Sequence, residues 1–244
     1  MHGKLLERFS RNILLDEIDI TGQVEFANSS VLVIGGGGLA SFVLPLLASN
    51  GIGEITIYDD DKISSSNLPR QVVFTEKQIG KFKVDCIKKY LQERNSNCKI
   101  EVFPQKLTTV DISKFSCIVD LTDSYQSRIL SNRLALEFAK PFFTGSAQGF
   151  VGQVYSFANH LKDMPCYECL FSEIDESSCQ TCENAGVFAP VVEIVGGFIT
   201  ANVLKYLAGI NVDFQEILLL NLLESFKKTK LTKDLKCQCK NYHI

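Results

Sequence analysis

A run of four glycines after a short apolar stretch is the first feature of the sequence that suggests chemistry. Gly35–Gly38 directly follow the apolar residues Val31–Ile34, and a helical composition then runs from Leu39 to Ser49. Glycines between a strand and a helix let backbone amides and the positive helix end approach phosphates, because no Cβ stands in the way. We interpret Gly35–Gly38 as a phosphate loop, with a tight structural turn as the alternative.

Three consecutive aspartates follow the next apolar run, Glu54–Tyr58. Asp59 comes about 20 residues after the glycines, where a dinucleotide fold places the carboxylate that binds ribose hydroxyls. Asp61 closes the same acidic triplet and is a further candidate for nucleotide binding. Up to this point an NAD-dependent oxidoreductase fits as well as an ATP-dependent enzyme, and so does a turn with a capping aspartate.

Basic and amide side chains come next along the chain. Asn67 and Arg70 share the loop SSSNLPRQ, and Lys83 lies in GKFK near the start of a helical pattern. Several charged groups beside a phosphate loop favour ATP as the ligand. A hydride-transfer site has no function for them. Taken singly, Arg70 and Lys83 are also compatible with solvated surface charges.

An aspartate beyond a later strand is the candidate magnesium ligand. Asp123 lies in DLTDS, just after the apolar run Cys117–Asp120. The carboxyl ends of parallel strands are where α/β folds bind ligands, and carboxylate oxygens suit Mg²⁺. The alternative is a helix N-cap, which Asp123 or Ser124 would supply equally well.

The nine cysteines form an odd number in a chain without an export signal, which favours metal binding or thiol chemistry over disulfides. Cys166 and Cys169 have the C-x-x-C spacing of half a zinc site, and Cys237 and Cys239 are the candidate other half. A C-x-C in an extended chain points its sulfurs to opposite faces, so a turn must bring them together. Unmetallated thiols or a partial site are the alternative. Three further thiols fall within helical or strand patterns and are interpreted as core or surface residues: Cys86, Cys98 and Cys117.

Cys182 lies just before AGVFAP, which opens a long apolar helical pattern. The positive end of that helix would lower the pKa of the thiol and make it a better nucleophile. Cys179 lies near enough to act as a resolving thiol. An incidental structural role for Cys182 is the alternative.

Strand and helix signals that alternate along the chain predict how these residues are positioned. The pattern from Val31 to Thr144 predicts a Rossmann-like, doubly wound, mostly parallel sheet. After Gly149 the segments GQVYSFA and EILLLNLLESFKKTKL follow without a helix between each pair and predict antiparallel strands that extend the sheet. We expect residues 1–244 to form one domain.

Composition limits the classes of partner. A net charge of −3 gives no concentrated basic surface, so we expect no nucleic acid partner. The longest apolar stretch, Ala185–Leu204, contains Pro190, Glu193 and Asn202, so we interpret it as a buried or dimer-facing helix and expect no membrane association. No signal or transit peptide pattern opens the chain, so we expect a cytoplasmic protein.

Taken in order, these segments resemble the ThiF/MoeB/HesA family, the bacterial relatives of the ubiquitin-activating enzymes. The resemblance covers about Arg8 to Cys239 and is carried by RFSRN, GGGGLA, the acidic triplet, SNLPRQ, GKFK, DLTDS, GQVYSF, CYECL and CENAGVFAP. ILLDEI and SAQGFVGQ are more similar to the ThiF branch than to the MoeB branch. Two departures are Ala40 for the last glycine of the usual run and Ser124 for the usual asparagine.

The resemblance implies an ATP-dependent adenylyltransferase with Mg²⁺ and Zn²⁺ as cofactors. Its substrate would be the C-terminal Gly-Gly carboxylate of a ubiquitin-like sulfur-carrier protein, ThiS-like in thiamine biosynthesis or alternatively MoaD-like in molybdopterin biosynthesis, and a sulfur donor protein would act later. Gly35–Gly38, Asp59 and Asp61 would bind ATP, and Asn67, Arg70 and Lys83 would hold its phosphates. Four cysteines would bind zinc and Asp123 magnesium.

The resemblance also implies a homodimer in which Arg11 reaches the partner's site, and a role for Cys182 in passing sulfur or acyl groups onward. A carboxylate is already ionised at neutral pH, with a reference pKa of roughly 3.5, so its adenylation needs no general base. The three histidines agree with this, since His2, His160 and His243 lie outside the motifs. A non-catalytic, carrier-binding scaffold of the same fold is the remaining alternative.

Overall fold

The computed structural model describes residues 3–161, 163–171 and 186–242. Within this part of the chain, five strands form a parallel sheet in the order β3, β2, β1, β4, β5. They are β1 (Ser30–Ile34), β2 (Glu54–Tyr58), β3 (Lys99–Phe103), β4 (Cys117–Asp120) and β5 (Phe142–Gln148). The central strands β1 and β4 are buried on both faces, which explains why their sequences read as continuous apolar runs and not as alternating ones.

Three antiparallel strands extend the sheet beyond β5. They are β6 (Val151–Phe157), β7 (Glu216–Asn221) and β8 (Phe226–Lys230), and they pair in that order. Strand β8 is exposed along its whole length, and lysines make up most of it. The predicted mixed sheet, Rossmann-like and mostly parallel, is therefore confirmed.

Helices cover the sheet and connect its strands. They are α1 (Gly3–Arg8), α2 (Ser10–Ile13), α3 (Asp19–Asn28), α4 (Ala40–Ser49), α5 (Lys83–Arg94), α6 (Tyr125–Glu137), α7 (Tyr167–Phe171) and α8 (Ala189–Leu207). The first two helices, α1 and α2, are separated by Phe9, which is buried. Short 3₁₀ turns cover Ser65–Asn67, Glu76–Gln78 and Gln238–Asn241.

Helix α8 contains most of the long apolar stretch Ala185–Leu204, which the sequence analysis interprets as a buried or dimer-facing helix. It is long and apolar enough to cross a membrane by length and composition alone. Its Val191, Val195, Ile199 and Val203 are buried, and it packs against α4, β5 and β6. We therefore interpret α8 as a core helix, as its sequence predicted.

The loops that follow β1 and β4 meet at the carboxyl edge of the sheet. Gly35 ends β1 with φ of +96°, a backbone conformation that side chains with a Cβ rarely adopt. A Cβ at this position would lie 3.0 Å from Leu121 C and from Thr122 N. Gly35 is thus required both for the turn after β1 and for the contact with the loop after β4.

We expect Gly35→Ala to destabilise the fold more than Gly80→Ala, which is its matched control. Gly80 also has a positive φ, +85°, but nothing lies within 4 Å of the Cβ it would gain. The control should cost about 1 kcal/mol from backbone strain, and Gly35→Ala about 2 to 4 kcal/mol because it adds a clash with backbone. Urea unfolding of both variants measures the difference. Equal losses would show that the two loops do not constrain each other.

Candidate nucleotide site and cysteine cluster

A cavity of about 730 Å³ opens at the carboxyl edge of the parallel strands. The segments after β1, β2, β3 and β4 and the last residues of β5 form its walls, as the topology of an α/β sheet predicts. Charged side chains of both signs line it: Asp59, Asp60, Asp61, Lys62, Arg70, Lys83, Lys106, Asp123 and Arg128. The structure thus brings Asp59, Asp61, Arg70, Lys83 and Asp123, all predicted from the sequence, to one cavity.

The glycine loop and Asp59 are joined by a hydrogen bond. Gly36 donates its backbone N–H to Asp59 Oδ2 at 2.7 Å, so this amide is directed at the carboxylate. Gly35, Gly37 and Gly38 line the cavity. Within the glycine loop, Gly36 thus fixes Asp59, while Gly35, Gly37 and Gly38 face the cavity.

Asp59 is held from two sides at the end of β2. Its Oδ1 accepts from the Asp61 backbone N–H at 2.9 Å, and its Oδ2 accepts from Gly36. Burial raises the pKa of this carboxyl, and the nearby Lys83 ammonium opposes that rise. Each carboxylate oxygen keeps a second lone pair, with which it can accept a hydrogen bond from a ribose hydroxyl.

Lys83, the first residue of α5, forms an ion pair with Asp61. Its Nζ lies 2.7 Å from Asp61 Oδ2. The lysine side chain is 6% exposed, whereas that of Asp61 is 65% exposed. Lys83 is therefore a buried cation, and the alternative of a solvated surface charge does not hold for it.

The loop between β2 and α5 fixes Asn67 and Arg70. Asn67 is buried, and its Oδ1 accepts the Ser64 backbone N–H at 3.1 Å, so part of this side chain holds the loop itself. Arg70 donates from its Nη1 to the Ser66 carbonyl at 2.8 Å. Both line the cavity.

Gln71, which the sequence reading did not single out, also faces the cavity. It is 3% exposed, and its Oε1 has no hydrogen-bond partner within the described residues. A buried amide oxygen without a partner is costly unless a ligand or water supplies the missing donor. A glutamine next to an arginine in a loop carries no signal of this in the sequence.

Asp123 and Ser124 have different positions at the start of α6. Ser124 is the helix N-cap, because its Oγ accepts the Ser127 backbone N–H at 3.2 Å. Asp123 lies one residue earlier, exposed, at the cavity. The capping function thus belongs to Ser124, and the Asp123 carboxylate accepts no hydrogen bond from any other described residue.

Arg128 is a cation in the cavity that the sequence reading missed. It donates from Nε to the Thr122 carbonyl at 3.1 Å and from Nη2 to the Gly145 carbonyl at 2.9 Å, and so joins the loop after β4 to β5. Burial lowers the pKa of Arg128, but Tyr167 and Asp120 beside it outweigh that effect, so the pKa is raised. An arginine within a helical pattern is typical of a solvent-facing position, so the sequence alone does not predict that Arg128 lines the cavity.

A predicted site residue does not line this cavity. Arg11, on α2, is exposed and does not line the cavity of its own chain. Cys182 and its neighbour Cys179 lie outside the described residues.

Four cysteine sulfurs come together beside the second half of α6, next to Asn132 and Leu136. Their Sγ atoms all lie within 4.8 Å of one another, and three separations are 3.7 to 3.8 Å: Cys166–Cys169, Cys166–Cys237 and Cys169–Cys239. Tetrahedral zinc with Zn–S bonds of about 2.3 Å requires sulfur separations of about 3.8 Å. The required turn is present, because Cys237 precedes the 3₁₀ turn Gln238–Asn241, on which Cys239 lies.

Burial and mutual contact shift the pKa values of these thiols in different directions. Burial raises the pKa of Cys237, and it raises the pKa of Cys239 to about 12. The hydrogen bond from Cys166 lowers the pKa of Cys169 to about 5. Four thiolates therefore do not coexist here without a positive charge among them, which a divalent metal would provide.

Comparisons with known proteins identify relatives of the whole chain. A sulfur carrier protein adenylyltransferase from Thermus thermophilus is 33% identical over 95% of this chain and 89% of its own length. The adenylyltransferase and sulfurtransferase MOCS3 of Culex quinquefasciatus is 34% identical over 86% of this chain, which spans only 48% of that longer relative.

A solved structure supports the fold. MccB from E. coli, crystallised with AMPCPP and MccA, matches 95% of this chain and 74% of its own with a TM-score of 0.80 and 23% identity. The model of the ThiF family matches residues 9–241. These matches favour the adenylyltransferase interpretation of the glycine loop over the oxidoreductase one. The chain therefore belongs to the ThiF family.

Proposed function

We propose that this chain uses ATP to adenylate the C-terminal carboxylate of a ubiquitin-like sulfur-carrier protein. The observation that carries the proposal is the single cavity that joins the glycine loop, Asp59, the cation Lys83 and Asp123 at the carboxyl edge of the sheet. Such an edge is where α/β folds bind nucleotides. The family and the name of the Thermus relative supply the class of the second substrate.

In the proposed complex, Asp59 binds the ribose hydroxyls and Gly35–Gly38 cradle the phosphates, with Asp61 and Asn67 shaping the adjacent wall. Arg70 and Lys83 neutralise the phosphate charge. Lys83 can transfer its interaction from Asp61 to a phosphate, because Asp61 is mostly exposed and its carboxylate returns to water at little cost.

The chemistry follows from the charges of the reactants. One oxygen of the carrier's ionised carboxylate attacks the α-phosphorus of ATP. The bond from that phosphorus to the oxygen bridging to the β-phosphate breaks, and pyrophosphate leaves with the electron pair. No proton moves, so positioning and charge neutralisation suffice. The described lining of the cavity agrees, since it holds carboxylates, amides and cations but no histidine.

Asp123 is the proposed ligand of the magnesium ion that accompanies ATP. Its carboxylate lies at the cavity and accepts no hydrogen bond from another residue that the structure describes, and Ser124 caps α6 in its place. Carboxylate oxygens are the usual protein ligands of Mg²⁺, which keeps several waters and bridges phosphates. When held there, Mg²⁺ would supply positive charge beside the leaving pyrophosphate.

Two classes of carrier protein are candidates for the second substrate. The segments ILLDEI and SAQGFVGQ are more similar to the ThiF branch, which favours a ThiS-like carrier. A MoaD-like carrier is the alternative. Cys182 is the proposed thiol that receives the activated acyl group or sulfur in a later step, with a sulfur donor protein as the source. Pyrophosphate exchange measured with each class of carrier separates the two pathways.

An apolar surface continuous with the cavity is the proposed docking site for the carrier. The side chains of Phe150, Val151, Phe188, Leu223 and Phe226 are 39 to 71% exposed. The Phe150 and Phe188 rings are 4.9 Å apart, and the Leu222 N–H donates to the Phe150 carbonyl at 3.0 Å. The residues that precede Gly149 and Phe188, Gln148 and Val187, line the cavity. A carrier docked here would have its C-terminal tail beside the nucleotide.

The N-terminal helices support a homodimer. Leu14, Leu15, Ile20 and Val24 are exposed near Arg11. Apolar side chains grouped at one end of a chain are typical of a surface that a partner covers. We propose that a second copy covers them and that each Arg11 then reaches the phosphates in the partner's cavity.

The four-cysteine cluster is proposed to bind zinc. The separations of its sulfurs match a tetrahedral site, and its ligand set is the thiolate set that zinc prefers. The ion would tie the C-x-x-C at α7 to the C-terminal segment, and it takes no part in the adenylation step.

The first prediction tests shared sites by complementation. Arg11→Ala and Asp123→Ala homodimers should each lose nearly all carrier-dependent pyrophosphate exchange, because each lacks a group that contacts phosphates or their metal. Their mixed heterodimer contains one site with both groups and should recover up to about half of the wild-type rate per dimer.

Glu137→Gln is the matched control for Asp123→Ala, because it removes a negative charge from the exposed far end of α6. It should retain full exchange. A mixture that exchanges subunits but stays as inactive as its parents would show that Arg11 acts within its own chain. Full exchange in Asp123→Ala would rule out the magnesium role.

The second prediction concerns the docking surface. Phe188→Asp should raise the KM for the carrier at least tenfold and leave the KM for ATP unchanged, because a buried carboxylate opposes an apolar contact. Leu161→Asp is the control, since Leu161 is 47% exposed and follows β6 at the opposite edge of the sheet. Equal KM values for the carrier in both variants would place docking elsewhere.

The third prediction concerns zinc. We expect the purified protein to carry about one zinc ion per chain, and we expect Cys239→Ser to lose it on dialysis because a hydroxyl replaces a thiolate ligand. Cys86→Ala, a buried thiol on α5 outside the cluster, should keep its zinc. Metal analysis by mass spectrometry measures both. Full zinc content in Cys239→Ser would exclude Cys239 as a ligand.

A further inference from the structure

Asn132 is a fully buried amide in the middle of α6 that the proposed chemistry does not use. Its Nδ2 donates to Glu168 Oε2 at 3.0 Å and to Cys166 Sγ at 3.6 Å. Its Oδ1 accepts from the Tyr167 backbone N–H and from Asn159 Nδ2, both at 3.1 Å. The side chain thus makes four hydrogen bonds, and three of them go to consecutive residues of the C-x-x-C segment.

The same segment contacts α6 at two further points. Arg133 forms an ion pair with Glu168, with 2.8 Å between Nη2 and Oε1. One turn before Asn132, Arg128 lies beside the Tyr167 side chain. Residues four apart on a helix share one face, about 6 Å apart along its axis, so Arg128 and Asn132 present one continuous surface to Cys166–Cys169.

Arg128 connects this surface to the nucleotide cavity. It lines the cavity and holds the Thr122 carbonyl, one residue before Asp123. A displacement of the C-x-x-C segment would therefore act on Tyr167, on Arg128 and on the loop that carries Asp123. The helix transmits the displacement because its backbone hydrogen bonds make it a rigid element.

We propose that Asn132 is a positioning residue that couples the four-cysteine site to the nucleotide cavity through α6. With the cysteines held by a metal, the amide fixes the C-x-x-C segment against α6, and Arg128 and Asp123 are held in their places at the cavity. This inference rests on the proposed ATP and zinc sites and assigns to the cysteine site a control over nucleotide binding.

The amide is suited to this function because of the sulfur that it contacts. A metal-bound thiolate is an acceptor only, and an N–H donor from a neighbouring residue orients it and stabilises its charge. Asn132 supplies that donor and at the same time accepts from the Tyr167 backbone. Its two ends therefore define both the position of Cys166 and the direction of the chain that follows.

The test compares Asn132→Asp with Arg133→Gln. Asp has the size of Asn and keeps the oxygen acceptor, but it has no N–H for Cys166. Any proton it holds is shared with the adjacent Glu168 carboxylate, which is a stronger acceptor than sulfur. Arg133→Gln removes a neighbouring contact to Glu168 whose arginine side chain is 51% exposed, and leaves the hydrogen bond to sulfur intact. The dissociation constant of Mg²⁺-ATP is measured by calorimetry without any carrier, for zinc-loaded and zinc-depleted protein.

We expect zinc removal to weaken ATP binding about tenfold in the wild type and in Arg133→Gln, and less than about twofold in Asn132→Asp. Equal effects in all three proteins, or no effect in the wild type, would overturn the coupling through Asn132. A wild type that binds no ATP with or without zinc would instead contradict the proposed function, so the two failures are distinguishable.

A second readout uses folded, metal-loaded protein and holds even where zinc depletion unfolds the chain. With Co²⁺ in place of zinc, loss of the N–H donor to Cys166 raises the energy of the sulfur electrons. We expect the sulfur-to-cobalt charge-transfer band to move to longer wavelength in Asn132→Asp and to stay in place in Arg133→Gln. An unchanged band in Asn132→Asp would overturn the role of Asn132 toward the cysteine site.

Discussion

The close contact between the loops after β1 and β4 is the constraint on which the candidate site depends. Gly35 has φ of +96°, and the Cβ of any other residue there would approach the backbone of Leu121 and Thr122 to 3.0 Å. Parallel strands end at one edge of their sheet, so this contact draws the glycine loop toward the segment that carries Asp123. The cavity lies between the glycine loop and the segment that carries Asp123.

Charged groups of the cavity are already held by partners in the same chain. Lys83 pairs with Asp61 at 2.7 Å, and Arg128 donates to the carbonyls of Thr122 and Gly145. Arg128 keeps these bonds, and Lys83 stays buried while it exchanges Asp61 for a phosphate, so both side chains lose little conformational freedom when a nucleotide binds. Fixed donors and charges stabilise a developing negative charge more effectively than groups that must first be reoriented.

The sequence predicts the parallel core well because each signal there is local. The strands Glu54–Tyr58 and Cys117–Asp120 have the bounds of the apolar runs found in the sequence, since apolar runs and turn residues lie within a few positions of each other. Helix α3 was missed because its Ile20 and Val24 are exposed and Gln23 is buried, which is the reverse of an amphipathic pattern.

Local sequence patterns do not predict which polar residues join distant segments of the chain. Asn132 gives the same local signal as any solvent-facing asparagine of a helix, yet it is fully buried and bonded to residues 27 to 36 positions away. Burying an amide is unfavourable unless its donors and acceptor are all satisfied. The cysteine segment must therefore adopt the one backbone path that satisfies Asn132. The cysteines bring α7 and the C-terminus together, and the buried amide determines where on α6 that assembly packs.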